Sequence, residues 1–163
     1  MTAWRLQGDM VVLEGLRLRL HRIGLSHWRA AGSLRSWGAV PLHRVGDALH
    51  APCAPDEALW LGAWLDDDDA AGDLRLRLRE TASGRAAGIV LPDAFQLTAL
   101  AGANGTPHPI ELAARDLSMT LACGPAHADI ALTLHAPDRW AALSGRPAPR
   151  ALAGPPPLPP RLG

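Results

Sequence analysis

The chain has 163 residues and a mass of 17.2 kDa, and its 16 basic and 16 acidic residues give a formal net charge of zero. This length suits one domain with a tail, and the balanced charge argues against a dedicated nucleic-acid binder, which normally carries a basic excess. All 16 basic residues are arginines, which excludes phosphate-binding loops and Schiff-base chemistry that depend on lysine.

The N-terminal segment lacks the features of a secretory signal or a membrane anchor. Asp9 falls where a signal peptide needs an apolar stretch, and no apolar run approaches the roughly 18 residues of a membrane span. Hydrophobic residues nevertheless make up 48% of the chain, which is enough to build a core. We therefore expect a folded protein without a membrane span, either cytoplasmic or associated with a particle.

Strict period-two alternation is the clearest pattern along the chain. Apolar and polar side chains alternate over residues 16–21, and the same alternation recurs over residues 74–79 and 128–135. Because successive side chains of a strand point to opposite faces, each run predicts a strand with one buried and one solvated face. Short turn signals separate these runs, which favours an all-β, mainly antiparallel sandwich or barrel. The predicted strands cover residues 3–7, 10–14, 16–23, 38–44, 58–65, 73–80, 86–91, 95–101, 109–114 and 117–135, the last range holding two strands that turn near Gly124.

Helix is expected in at most two short segments. Ser26 can cap a helix over residues 27–35 and Asp138 can cap a single turn, although either segment can instead be a loop.

Residues 20–24 and 42–46 read LHRIG and LHRVG, a near-repeat that chance alone can also produce. If the repeat is real, it predicts two equivalent strand ends in one sheet.

The predicted strand over residues 58–65 is apolar on both faces. This pattern is typical of a central strand that is covered on both sides, or of a strand at an interface. Trp60 and Trp64 share one of the two faces, with Gly62 between them. Two exposed indoles at this spacing can also stack on sugar rings, so a carbohydrate platform is the alternative to core or interface packing.

Two rows of arginines are candidates for an interface or an anion-binding face. They are Arg17 and Arg19 in the first row, and Arg75, Arg77 and Arg79 in the second. Like charges placed directly opposite each other destabilise a sheet. We therefore expect that the two strands lie apart, that acids intervene, or that a partner neutralises the rows. The acidic run Asp66–Asp69 of another copy is one such partner, whereas a nucleic-acid backbone fits poorly with zero net charge.

The indications of a metal site are weak, and we expect no bound metal or cofactor. His127 and Asp129 share a strand face about 6–7 Å apart, which suits two ligands, but the spacing identifies no third. The run Asp66–Asp69 lacks the glycine and the distal glutamate of an EF-hand, so we interpret it as a solvated turn. Cys53 and Cys123 match no zinc pattern and can form one disulfide or none, with free, partly buried thiols favoured.

The composition changes after residue 145, where proline becomes frequent. Serial proline removes backbone donors and favours polyproline II, so we expect a β-rich domain over residues 1–145 and an extended tail over residues 146–163. Pro156, Pro159 and Arg161 fit the PxxPxR pattern that aromatic-lined grooves bind. A tail rich in Pro and Arg also produces this pattern by composition alone. The looser expectation is that the tail contacts a neighbouring subunit.

No catalytic signature is present, since the chain has neither a GxSxG elbow nor a Gly-rich phosphate loop. The sequence therefore favours a non-catalytic structural or adaptor subunit of a larger homo- or hetero-oligomeric protein assembly. A decoration, spike or tail-associated component of a phage-like particle is one concrete form. The alternatives are a carbohydrate-binding β-sandwich module that uses Trp60 and Trp64, and a metal-dependent enzyme that uses surface His and Asp residues.

Overall fold

The fold is seen in a computed structural model that describes residues 4–29, 34–66 and 74–154. These ranges contain fourteen strands, one 3₁₀ turn over Leu25–His27 and one helix, α1, over Pro137–Ser144. The strands are β1 Arg5–Gln7, β2 Met10–Leu13, β3 Leu16–Gly24, β4 His43–Val45, β5 Ala48–Pro52, β6 Glu57–Leu65, β7 Leu74–Glu80, β8 Ala86–Val90, β9 Gln96–Leu97, β10 Leu100–Ala101, β11 Pro107–His108, β12 Ile110–Glu111, β13 Asp116–Cys123 and β14 Ala126–His135.

The strands form two sheets that share one hydrophobic core. The six-stranded sheet has the order β1-β2-β3-β6-β12, with β9 also beside β6, and the eight-stranded sheet has the order β11-β10-β8-β7-β13-β14-β5-β4. All pairings are antiparallel except that of β14 with β5, which is parallel. One buried cluster joins inward side chains of both sheets, so the molecule is an all-β sandwich, as predicted.

The alternation in the sequence corresponds to burial in the sandwich. Every second side chain of β7 and β14 is buried, and the intervening ones are exposed or half-buried. Strand β3 alternates in the same way at its start. The hydrophobic effect thus fixes which face of each strand points inward, because a slip by one residue would expose the leucines and bury the arginines.

Strand β6 is central in its sheet and is buried on both faces, as its apolar pattern predicts. Its inward residues join the main core, whereas Ala58 and Trp60 on its outer face form a second cluster with Ile23 and Leu34. Part of the segment between β3 and β4 covers this outer face, and we call residues 25–29 and 34–37 the cap. The indole of Trp28 anchors the cap by donating to the Thr98 carbonyl at 2.8 Å.

One predicted strand is interrupted, and one of the two candidate helices is not formed in its described part. The predicted strand over residues 38–44 is interrupted: Ala39 makes a single antiparallel bridge with His21, and β4 begins only at His43, where it forms a hairpin with β5. The backbone N–H of Leu42, near its expected centre, donates to the Asp9 carboxylate at 2.9 Å rather than to a strand. The predicted helix over residues 27–35 is absent from its described part, where Trp28 is already extended after one 3₁₀ turn.

The near-repeat does not mark equivalent strand ends in one sheet. Residues 20–24 lie in β3 of the six-stranded sheet, whereas residues 42–46 include β4 of the eight-stranded sheet.

The helix predicted near Asp138 is present as α1 and ends at Gly145, whose φ of 71° suits glycine. Asp138 lies in the first turn and does not cap the helix, since the N-cap is Ala136.

Candidate functional site

The two arginine rows lie on different sheets. Arg17 and Arg19 belong to β3 of the six-stranded sheet, whereas Arg75, Arg77 and Arg79 belong to β7 of the eight-stranded sheet. The rows therefore do not combine into one cationic surface. Separation of the two strands, one of the three ways to avoid repulsion that the sequence suggested, is therefore realised in the fold.

The first row lies beside β6, the strand that carries the two tryptophans. In the β3–β6 register, Arg17 lies opposite Trp64, and His21 lies opposite Trp60. Arg17 donates from Nε and Nη2 to the two carboxylate oxygens of Asp66. This hydrogen bonding lowers the pKa of Asp66 and raises that of Arg17. An acid of the same chain therefore neutralises Arg17.

The two tryptophans differ in accessibility. Trp60 is only 5% exposed, because it stacks on His21 at a centroid distance of 4.1 Å and lies beneath the cap. Its indole N–H donates to the Arg35 carbonyl of the cap at 3.3 Å. Trp64 is 36% exposed. A sugar platform needs two open indole faces, and the structure opens only one of them, so Trp60 serves packing.

The second row stands on an uncovered surface. We call the outward sides of β8, β7, β13, β14 and β5 the open face. Arg77 lies between Gly88 and Thr120 of the adjacent strands, and the outward residues of β7, β13 and most of β14 are exposed. His127 and Asp129 of β14 lie on the same face. The sheet therefore gathers the second arginine row and the two weak metal candidates on one surface.

The structure gives His127 and Asp129 no third ligand. Asp129 accepts a hydrogen bond from the Thr120 hydroxyl at 3.0 Å, and His127 is exposed opposite Ala122. Within the described ranges, no group of three or more His, Cys, Asp or Glu residues could hold a metal ion. Cys53 and Cys123 are both free, and burial raises the pKa of the Cys53 thiol to about 12.

A histidine pair at the end of the open face was not predicted. His50 Nδ1 and His135 Nε2 are 2.8 Å apart, and the Nδ1 atom of His135 is buried without a partner. Burial is the main cause that lowers the pKa of both histidines, and His43 lowers that of His50 further. The sequence does not display the contact between His50 and His135, because the parallel pairing of β14 with β5 joins segments that are distant along the chain.

The charges around His135 come from three neighbouring elements. The ring of His50, Arg115 before β13 and Arg139 of α1 all lower its pKa, whereas Asp116 of β13 raises it. Burial and the surrounding positive charges thus favour neutral rings in the pair, in which one nitrogen donates and the other accepts.

The beginning of the tail lies on its own domain, and we call residues 146–154 the arm. Arg146 donates to both carboxylate oxygens of Asp9, at 3.0 and 3.3 Å, and to the Leu42 carbonyl at 3.0 Å. Further along, Arg22 donates to the Arg150 carbonyl at 2.8 Å while it also pairs with the buried carboxylate of Glu57. The arm is thus fixed by charged groups of the hairpin β1–β2 and of β3.

The arm ends at a cleft of about 630 Å³ beside the 3₁₀ turn. His27 and Trp37 form a tilted aromatic pair there, with ring centroids 4.8 Å apart. The Trp37 ring lies so close to Gly24 that a Cβ at this position would be 3.0 Å from it. The cleft is lined by Gly24, Leu25, Ser26, His27, Trp37, Asp56, Leu152, Ala153 and Gly154. Pro156, Pro159 and Arg161 lie outside the described residues.

The cleft does not resemble a hydrolase site. Ser26 Oγ lies 3.1 Å from the Nδ1 atom of His27, its neighbour in sequence. A catalytic histidine contacts its nucleophile through one nitrogen and a carboxylate through the other. Among the described residues no carboxylate is hydrogen-bonded to His27. The arrangement therefore offers an aromatic binding surface rather than an activated nucleophile.

Comparisons with protein-family models, curated proteins and solved structures found no match for this chain. No helix in the described ranges is long and apolar enough to cross a membrane.

Proposed function

We propose that the chain is a non-catalytic subunit of a protein assembly and that the open face is its docking surface. The observation that carries this proposal is the second arginine row on a broad sheet surface with small neighbours. Arg79 lies between Ala86 and Ser118 in the register of the sheet, as Arg77 lies between Gly88 and Thr120. Small neighbours leave the surface around the guanidinium groups accessible to a partner.

The contrast between the two sheets supports this choice of face. The chain covers the outer face of the six-stranded sheet with its own cap and neutralises Arg17 with Asp66. The outward residues of β7 and β13 remain exposed apart from the end of β13. Arginine is enriched at protein interfaces, where its planar group pairs with carboxylates in a fixed geometry.

The partner is a protein surface that carries carboxylates at strand spacing. Arg77 and Arg79 lie two residues apart, which spaces them about 7 Å apart along the strand. Within the acidic run Asp66–Asp69 of a neighbouring subunit, Asp66 already pairs with Arg17 of its own chain. The acids that the sequence offers for this contact are therefore Asp67–Asp69, which lie outside the described residues. A contact between two different surfaces of identical subunits builds rings or filaments. A component of a phage-like particle is one form of such an assembly.

The test is the native mass of the full-length protein, measured by light scattering after size-exclusion chromatography. We expect a defined oligomer that Arg77→Glu shifts to a lower mass and that high salt also weakens. Arg29→Glu is the matched control, because Arg29 is exposed on the cap at the opposite side of the sandwich. A protein that is monomeric at every concentration, or an oligomer that tolerates Arg77→Glu, would contradict the proposal.

A further inference from the structure

The cleft beside the arm has the chemistry that binds a polyproline II segment. Such segments lay proline rings against aromatic side chains, and a basic residue next to the prolines pairs with an acid. The cleft provides the aromatic pair of His27 and Trp37, the side chain of Leu25 and the acid Asp56. The cleft lies beside the six-stranded sheet and the open face lies on the eight-stranded sheet, so the cleft is a second and separate surface.

Asp56 is the acid that is placed to meet a basic ligand. Its backbone carbonyl accepts from the N–H of Leu25 at 2.8 Å, which fixes Asp56 beside the 3₁₀ turn. Its neighbour Glu57 is only 3% exposed and is engaged by Arg22. Asp56 itself is exposed and lines the cleft. The two acids therefore have different roles, one inside the fold and one at the cleft.

We propose that this cleft binds the Pro-rich segment 155–163 of a second copy of the chain. The segment supplies the matching chemistry: Pro156 and Pro159 suit the aromatic pair, and Arg161 suits Asp56. The proposal rests on the proposed function, because it requires that copies of the chain associate.

Geometry favours the tail of a second copy over the chain's own tail. A volume of 630 Å³ corresponds to a sphere about 11 Å across. The chain's own tail leaves from Gly154, which already lines the cleft. At about 3.1 Å per residue in polyproline II, Arg161 would lie roughly 22 Å from Gly154, well past Asp56. A tail from another copy has no such tether, and it can place Pro159 and Arg161, which are about 6 Å apart in polyproline II, in the cleft together.

The experiment exchanges the charges of Asp56 and Arg161 between copies. Two full-length variants are prepared, Asp56→Arg and Arg161→Glu, and the native mass of each is measured alone and after mixing. Within either variant, the acid–base pair becomes a pair of like charges. In the mixture, each tail again meets a cleft of opposite charge. Asp93→Arg is the control, because Asp93 is exposed and does not line the cleft.

We expect each variant alone to associate at least about tenfold more weakly than the unmodified protein, because like charges at an interface repel. The mixture should regain the association, and the control should keep it throughout. Thermal melts that match the unmodified protein would show that the variants are folded.

The other outcomes separate the two proposals. An oligomer that tolerates both charge reversals, or a mixture that does not regain the association, would overturn the tail exchange and leave the open face standing. A protein that is monomeric at every concentration would overturn both.

Discussion

The buried ion pair between Arg22 and Glu57, which lies beside the arm, allows a quantitative test of what this pair contributes to the free energy of unfolding. The Arg22 and Glu57 side chains are 12% and 3% exposed, and Arg22 also donates to the Arg150 carbonyl at 2.8 Å. Arg22→Met keeps most of the side-chain length and removes the charge. It leaves the Glu57 carboxylate buried without its partner, which costs about 3–5 kcal/mol. A domain of this size has a free energy of unfolding of about 5–15 kcal/mol, so the loss is a large fraction of the total.

The assay is urea unfolding followed by tryptophan fluorescence at neutral pH. We expect a lower midpoint for Arg22→Met with an unchanged slope, and a melting temperature lower by roughly 10 °C. The double variant Arg22→Met with Glu57→Leu should recover most of the loss, because it removes both buried charges together. A single variant that loses less than about 1 kcal/mol would refute the reasoning, as would a double variant that is no more stable than the single one.

Two further predictions follow from the pKa shifts. The pKa values of His50 and His135 are lowered in the folded state, so the unfolded chain binds more protons in mild acid. The free energy of unfolding should therefore fall as the pH drops below about 6.5. The fall is at most about 1.4 kcal/mol per pH unit for each histidine. Denaturant titrations across this pH range should show a smaller loss in His135→Asn and the full loss in the exposed control His127→Asn. For the thiols, the pKa of about 12 at Cys53 predicts that iodoacetamide at neutral pH modifies Cys123 first, and peptide mass spectrometry that finds Cys53 modified first would contradict its burial.

The sequence predicted most clearly the strands in which apolar and polar residues alternate without interruption. In β7 and β14, alternation alone determined which side chains are buried. Strand β5, over Ala48–Pro52, was missed because Leu49 is its only large apolar residue and because it pairs in parallel with β14, far along the chain. The cap was also misjudged, since Trp28 and Trp37 pack by contacts with other segments rather than by local periodicity.

The sequence predicted individual candidate residues, but it did not predict which of them lie together on one surface. Alternation placed Arg75, Arg77 and Arg79 on one strand face, but only the pairing of strands shows which side chains surround them. The same limit concealed that Arg17 faces Trp64 and that the cap buries Trp60. Strand order and register depend on contacts between distant segments, which a single sequence does not display.

The most direct test of the central claim is the native mass of the full-length protein, with and without Arg77→Glu, across a range of concentrations. The account predicts a defined oligomer for the unmodified protein and a lower mass for the variant, while Arg29→Glu behaves like the unmodified protein. A monomer at every concentration, or an oligomer of equal mass in all three proteins, would contradict an assembly through the open face.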